Sequence, residues 1–76
     1  MGNFLTCAYL LEKYGVRLTI EQLAEVLQVS KSNIVNKLSS SAFDIPHYKD
    51  GKVWFDYRDV AEYLDKKREE AVEAVR

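Results

Sequence analysis

Residues 30–40 combine hydroxyl, amide and amine side chains and contain no carboxylate. An asparagine amide can pair with the edge of a base, a serine hydroxyl can contact a base or a phosphate, and a lysine can hold a phosphate. The candidate contact residues in this segment are Lys31, Ser32, Asn33, Asn36 and Lys37. Such residues at this spacing predict a surface that forms hydrogen bonds with nucleic acid.

Two short amphipathic helices would position these side chains. Thr19 is a predicted N-cap, and Gln22 stands three residues later, which is the spacing of a capping box. Four apolar residues then share one face of the first helix: Ile20, Leu23, Ala24 and Leu27. Val29 follows as a predicted buried pivot at the corner between the helices.

The second helix is predicted to begin after Ser30, a second N-cap, and to pack through Ile34 and Leu38. At about 100° per residue, Lys37 then lies on a flank. The opposite face carries Ser32, Asn33, Asn36 and Ser40. Helix, corner and helix over residues 19–41 are the pattern of a helix-turn-helix, whose second helix enters the major groove of DNA. The alternative is a solvated face on a small helical domain.

A β-hairpin is predicted to follow, as a wing over residues 46–55. The dipeptide Asp50-Gly51 is a signal for a two-residue type I′ turn, because glycine accepts the positive φ that this turn needs. Lys49 and Lys52 would flank the tip and contact the DNA backbone. A basic hairpin directly after a recognition helix is the arrangement of a winged helix-turn-helix.

Two further helices are predicted, one on either side of these elements. Residues 1–15 would form an N-terminal helix that packs across the helix-turn-helix, and its excess apolar surface could also form a subunit interface. Residues 56–76 would form a C-terminal helix capped by Asp56, with either a solvated tail or a dimerising helix beyond Leu64. The predicted core consists of Leu23, Leu27, Val29, Ile34, Leu38, Val53, Phe55, Val60 and Leu64.

Length and composition are those of a small globular domain. The 76 residues predict one domain, and 47% hydrophobic with 30% charged residues excludes a disordered chain. The net charge is only −1, but residues 30–55 carry four lysines against two aspartates. Positive charge is therefore expected where DNA would be contacted.

Residues for catalysis or metal binding are scarce. Cys7 is the only cysteine and His47 the only histidine, so we expect no internal disulfide, no metal cluster and no cofactor. The sequence contains no phosphate loop and no nucleophile motif, and we expect neither an enzyme nor a small-molecule ligand. A signal peptide and a membrane span are not expected, which predicts a cytoplasmic protein.

A family resemblance is carried by two stretches, LTIEQLAEVLQVSKSNI (18–34) and IPHYKDGKVWFDYRDVAEYL (45–64). Together they resemble the excisionase-type DNA-binding domains of phages and mobile elements. These domains are small relatives of the MerR winged-helix proteins, and the AlpA-type regulators belong with them. The resemblance implies that the helix after Ser30 enters the major groove and that the Lys49–Lys52 hairpin contacts the backbone or the minor groove.

The sequence departs from this family in three places. Gln28 stands at the corner where the family usually has glycine, so either a non-glycine residue adopts the left-handed conformation or the first helix is slightly longer. Asn33, Asn36 and Lys37 stand where the family often has arginines, which shifts the expected contacts toward adenine or a weaker hold on phosphate. The connection to Pro46 is also longer than usual, which affects the angle of the wing.

These features predict a mainly α-helical protein with a small β-hairpin wing that binds double-stranded DNA sequence-specifically. The expected role is that of a transcriptional regulator or an excisionase-like architectural factor of a phage or mobile element. One such module has a small interface, so a homodimer or adjacent copies along the duplex are expected. The alternative is a protein-interaction adaptor on the same scaffold, which the negative net charge and the aromatic-rich wing favour.

Overall fold

The computed structural model describes residues 3–41 and 43–75, most of which are helical. The four helices are α1 (Asn3–Tyr14), α2 (Ile20–Leu27), α3 (Lys31–Ser39) and α4 (Tyr57–Val75). The strands are β1 (Arg17–Leu18), β2 (Tyr48–Asp50) and β3 (Lys52–Asp56), which form an antiparallel sheet with β3 in the middle. The mainly helical prediction is confirmed, and β1 adds to the predicted elements. The predicted outer ends of the terminal helices, at residues 1, 2 and 76, lie outside the described residues.

Helices α2 and α3 begin where their N-caps predict. The Thr19 hydroxyl accepts a hydrogen bond from the Gln22 backbone N–H (3.1 Å), and the Gln22 side-chain oxygen accepts one from the Thr19 N–H (3.0 Å). The predicted capping box is therefore confirmed. The Ser30 hydroxyl accepts from the Asn33 N–H (3.1 Å), which confirms the second cap. Both caps satisfy backbone donors that the first turn of a helix leaves unpaired.

The corner between α2 and α3 is formed by Gln28 in the left-handed conformation, with φ 59° and ψ 44°. The Gln28 N–H donates to the Glu25 carbonyl (3.3 Å) and the Val29 N–H to the Ala24 carbonyl (3.1 Å), the two hydrogen bonds of a Schellman motif. The predicted burial of Val29 is wrong, since its side chain is 40% exposed. Its backbone closes the motif at the surface of the corner, and this leaves the side chain partly in solvent.

The buried core draws on every helix and on strands β1 and β3. Its members, each at most 7% exposed, are Leu10, Leu18, Leu23, Ala24, Ile34, Ile45, Phe55, Val60 and Ala61. Four of the predicted core residues are among them: Leu23, Ile34, Phe55 and Val60. Four others are only half-buried and pack against the core: Leu27, Leu38, Val53 and Leu64. The predicted set is thus right about the direction in which these residues face, apart from Val29.

The hairpin, formed by β2 and β3, begins at Tyr48 rather than at Pro46 and turns more tightly than predicted. The paired residues are Tyr48 with Trp54, Lys49 with Val53, and Asp50 with Lys52. Gly51 is therefore alone at the tip, with φ +77°, and Asp50 does not have the positive φ that a type I′ turn needs. The predicted type I′ turn is wrong. The Trp54 indole N–H donates to the Asp50 carbonyl (3.0 Å) and holds the tighter turn.

Helix α1 packs mainly against α4. It also borders α2, the first helix of the predicted helix-turn-helix, where the Lys13 Nζ lies 3.9 Å from a Glu25 carboxylate oxygen. The packing against α4 follows from the short strand after α1. Its pairing with β3, together with a hydrogen bond from the Tyr57 N–H to the Val16 carbonyl (3.0 Å), brings the end of α1 beside the start of α4. Within α1, Leu10 is buried in the core, whereas Phe4 and Leu5 are exposed.

Helix α4 begins at a charged cap and continues to Val75. The Asp56 carboxylate accepts a hydrogen bond from the Arg58 backbone N–H (2.8 Å), so the predicted cap is confirmed. The Arg58 guanidinium donates to both oxygens of the same carboxylate (3.0 and 2.9 Å) and lowers the pKa of Asp56. The charged segment after Leu64 is helical throughout its described residues.

Candidate nucleic-acid interface

Helix α3 is anchored on one side and exposed on the other. Ile34 is 1% exposed and Leu38 is half-buried. The predicted contact residues of this helix are all exposed: Lys31, Ser32, Asn33, Asn36 and Lys37. Ser32 and Asn36 lie opposite Ile34 and therefore at the centre of the exposed side. Because α3 contains no carboxylate, this side offers donors and acceptors without repelling a phosphate.

Lys31, in the first turn of α3, forms an ion pair with Glu21 of α2. Its Nζ lies 2.8 Å from a Glu21 carboxylate oxygen, and the two side chains are 56% and 64% exposed. The hydrogen bond from Lys31 is the main reason why the pKa of Glu21 lies below its ordinary value, and the charge of Lys52 acts in the same direction. Exposed ion pairs contribute little stability, so the Lys31 amine is easily released from Glu21.

The hairpin lies beside the first turns of α2 and α3. One shallow depression is lined by Ile20 and Glu21 of α2, Lys31 of α3, and Lys52 and Val53 of β3. Two of the predicted phosphate contacts, Lys31 and Lys52, are brought together in this way. Glu21 lies between them and reduces the local positive charge.

Lys49 and Lys52 do not share a face of the hairpin. The predicted two-residue turn would pair them directly and place both on one face. In the observed register, Lys49 pairs with Val53 and Lys52 with Asp50. Since successive strand residues point to opposite faces, Lys49 lies on the face of Val53 and Lys52 on the face of Trp54. The hairpin therefore presents one lysine to each side.

The other flank of α3 borders a groove. Asn33 and Lys37 line it together with residues of the corner and of α4, and its apolar wall includes Val29, Phe43 and Leu64. Asn33 therefore lies at the edge of this groove, and its side chain is exposed. The predicted contacts of α3 thus fall into three groups. Ser32 and Asn36 lie at the centre of the exposed side, Asn33 and Lys37 lie on the flank beside this groove, and Lys31 lies on the other flank.

Arg17 joins this surface, although no local pattern around it predicts a role. It lies on β1, whose pairing with β3 lets the side chain reach over β3 toward β2. The guanidinium carbon lies 3.8 Å from the centroid of the Trp54 ring. Its Nη1 donates to the Tyr48 hydroxyl (3.3 Å) and to the Asp50 carboxylate (3.2 Å). The alternation of residues along β3 places Lys52 and Trp54 on its outer face. Local sequence does not show which residue packs over that face, whereas the pairing of β1 with β3 shows that it is Arg17.

The only histidine and the only cysteine of the sequence both pack beside core residues. The Nδ1–H of His47 donates to the Ile45 carbonyl (3.0 Å), and its ring packs near Phe43 and Phe55. Cys7 is a half-buried free thiol in α1. Within residues 3–41 and 43–75, no group of three or more His, Cys, Asp or Glu side chains could hold a metal ion. Within the same ranges, no helix combines the length and the apolar character needed to cross a membrane.

Comparison of the chain with protein-family models, with curated protein sequences and with solved structures found no match. The observations that bear on function are therefore those of the surface itself. They are an exposed α3 rich in serine and asparagine, the proximity of Lys31 and Lys52, and Arg17 stacked on Trp54.

Proposed function

We propose that the protein binds double-stranded DNA, with α2, the corner, α3 and the hairpin acting as a winged helix-turn-helix. The observation that carries the proposal is the exposure of α3. Ile34 is its one fully buried residue, and its seven exposed residues are two serines, two asparagines, two lysines and one valine, with no carboxylate among them. An α-helix fits the major groove of B-DNA, where each base pair presents a distinct set of donors and acceptors. A helix with this surface can enter the groove without charge repulsion.

Asn36 is the proposed reader of sequence. Its amide can donate to N7 of adenine and accept from N6 in a bidentate pair, and its central position points it toward the floor of the groove. Ser32, one turn earlier on the same line, can contact a base or a phosphate. Asn33 and Lys37 occupy the flank, so they would meet the edge of the groove. The expected preference is therefore for adenine at the centre of each half-site.

The lysines are proposed to hold the DNA backbone. Lys31 and Lys52 would contact phosphates at one end of α3, Lys37 would do so along its flank, and Lys49 from the opposite face of the hairpin. So few phosphate contacts give a weak complex for a single module. A homodimer or adjacent copies along the duplex would supply the missing affinity.

The biological role follows from the resemblance to the excisionase-type domains. A regulator of transcription and an architectural factor in recombination use the same small winged module, and both bind DNA without altering it chemically. We propose one of these two roles in a phage or mobile element. The surface described above serves both equally well.

Duplex binding at two salt concentrations tests the proposal, with a mixed-sequence duplex and a duplex selected for tight binding. Replacing Lys49 and Lys52 with alanine should weaken binding to both duplexes alike and lower the salt slope by about one for each phosphate that is no longer neutralised. Lys66→Ala is the matched control, because Lys66 is an exposed lysine of α4 outside this surface. Absence of binding by the wild-type protein to any duplex at low salt would overturn the proposal.

A protein-interaction adaptor is the second candidate. The observation that favours it is the apolar outer side of α1, where Phe4 is 74% exposed, Leu5 76% and Tyr9 55%. Contiguous exposed apolar side chains of this kind are typical of contacts between proteins. The adaptor predicts no duplex binding at low salt, whereas the DNA-binding function predicts affinity that falls steeply with salt.

A further inference from the structure

Arg17 is held in a fixed orientation on the outer face of the sheet. Its guanidinium lies over the Trp54 ring at 3.8 Å, and Nη1 is engaged by the Tyr48 hydroxyl and the Asp50 carboxylate. Among the described residues, Nε and Nη2 have no hydrogen-bond acceptor. The Tyr48 oxygen accepts from Arg17, so its own proton is available to another acceptor. The cluster therefore presents an arginine edge and a hydroxyl donor toward solvent.

These donors suit an oxyanion with several oxygens. The Nε and Nη2 edge of an arginine donates two parallel hydrogen bonds to a phosphate, and stacking on an aromatic ring fixes the plane in which it does so. Lys52 adds a second positive charge, because its Nζ lies 5.8 Å from the centroid of the same Trp54 ring. Lys52 also lines the depression that Lys31 and Glu21 border, so this part of the hairpin adjoins the first turn of α3.

We propose that Arg17 and Tyr48 bind a phosphate of the DNA backbone, which extends the interface from the hairpin to β1. The inference rests on the proposed DNA binding and assigns one more contact to it. Asp50 acts as an internal competitor, since its carboxylate occupies Nη1 at 3.2 Å and repels an approaching phosphate. The Asp50 side chain is 70% exposed, so this ion pair is readily displaced.

Five variants, the last of them a double variant, test the site on the full chain with a mixed-sequence duplex. Arg17→Met keeps an aliphatic stem over Trp54 and removes the donors and the charge. It should weaken binding about tenfold, the factor typical of removing a charge-assisted hydrogen bond. Its salt slope should fall by about 0.9. Arg17→Lys should bind with intermediate affinity because it keeps the charge without the fork. Arg68→Met, the same change on α4, is the matched control and should bind like the wild type.

Asp50→Asn is the fourth variant. It leaves Arg17 in place, so it tests the site even if the Arg17 variants lose stability. Removing the competitor should tighten binding, and this gain should shrink in the Arg17→Met background, where there is no arginine left to release. Trp54 is the only tryptophan, so its fluorescence should change when duplex binds to the wild type and change less in Arg17→Met. Wild-type affinity and slope in Arg17→Met, or weaker binding by Asp50→Asn, would overturn the site while leaving DNA binding intact. Failure of the wild type to bind duplex would instead remove the function on which the site rests.

Discussion

Helices α2 and α3 are consecutive, similar in length and opened by the same kind of cap, but their burial is opposite. Only two of the eight residues of α2 are exposed, both of them glutamates, and Leu23 and Ala24 are buried. In α3, seven of the nine residues are exposed and only Ile34 is buried. The core therefore constrains nearly every position of α2, whereas it fully constrains a single position of α3.

The contrast extends to what stabilises each helix. Helix α3 reads KSNIVNKLS, and serine, asparagine and valine are weaker helix formers than alanine or leucine. A helix of nine such residues is not stable alone, so it depends on the Ser30 cap and the Ile34 contact. Substitutions in the two helices and at their caps can measure how far they differ.

The largest effect is expected from the buried side of α2. Leu23→Ala should lower the free energy of unfolding by about 2–5 kcal/mol, because it removes a fully buried side chain and leaves a cavity. Leu27→Ala should cost less, since Leu27 is only half-buried. Urea denaturation of the two variants beside the wild type measures the difference. If both variants lost the same free energy of unfolding, burial would not determine how much Leu23 and Leu27 each stabilise the fold.

The next largest effect concerns the exposed side of α3. Asn36→Ala should weaken binding to a selected duplex by about 1–3 kcal/mol and binding to random duplex much less, because only hydrogen bonds to a base edge disappear. Its free energy of unfolding should hardly change, since alanine is the better helix former. Asn33→Ala is the matched variant and should have a smaller effect on affinity, because Asn33 lies on the flank. Equal discrimination by the wild type and Asn36→Ala would exclude Asn36 as the reader.

The two caps allow a comparison of α2 with α3, the helix proposed to bind DNA. Thr19→Ala and Ser30→Ala should each lower the free energy of unfolding by about 1 kcal/mol, through loss of a hydrogen bond to a backbone N–H. Only Ser30→Ala should also weaken duplex binding, because it loosens the turn that carries Lys31 and Ser32. Thermal unfolding measures the loss of stability, and the fluorescence anisotropy of a labelled duplex measures the loss of affinity in the same samples. Similar losses of affinity in both variants would contradict this division.

A gain in stability is expected at the corner between the helices. The left-handed conformation costs a non-glycine residue about 1–2 kcal/mol, which glycine avoids. Glycine also has greater freedom in the unfolded chain, and this reduces the gain by about 0.5–1 kcal/mol. Gln28→Gly should therefore raise the free energy of unfolding by about 0.5–1 kcal/mol without changing affinity. Gln28→Ala is the control and should show no gain. A destabilised glycine variant would mean that the Gln28 side chain has a stabilising contact of its own.

The smallest effect is expected from the ion pair that links α2 to α3. The pKa of Glu21 is lowered in the folded protein, chiefly by the hydrogen bond from Lys31, so the pair stabilises the fold above the ordinary pKa of 4.5. This contribution is lost as the pH falls through the lowered pKa. The stability difference between the wild type and Glu21→Gln should therefore vanish in acid. At neutral pH, Glu21→Gln should bind duplex more tightly, because Lys31 is released.

Features set by neighbouring residues could be predicted from the sequence. Thr19 and Gln22 cap α2 through hydrogen bonds three residues apart, and Ser30 caps α3 in the same way. The exposed side of α3 also follows from local spacing, since Ile34 and Leu38, four residues apart, face the core and orient the helix. For the same reason, the outward direction of Asn36 required no knowledge of the rest of the chain.

Features that depend on distant parts of the chain could not be predicted in this way. Strand β1 has only two residues, and its existence follows from pairing with Phe55 and Asp56 far along the chain. Arg17 was missed for that reason. A single residue fewer in the hairpin turn also changes which residues are paired, and this moved Lys49 away from Lys52. Val29 was misplaced because the Schellman motif, and not its apolar side chain, determines its position.

Strand β1 also makes the fold depend on a pairing between distant parts of the chain. Its pairing with Phe55 closes a loop that contains all of α2, α3 and β2, whereas the helices and the hairpin form from interactions close in sequence. Loop closure reduces chain entropy before the distant pairing stabilises the fold, so we expect this pairing to form late. The entropic cost grows only slowly with length, by about 0.6 kcal/mol for each doubling of the loop. The connection between α3 and Pro46 therefore adds to the enclosed loop at very little cost in stability.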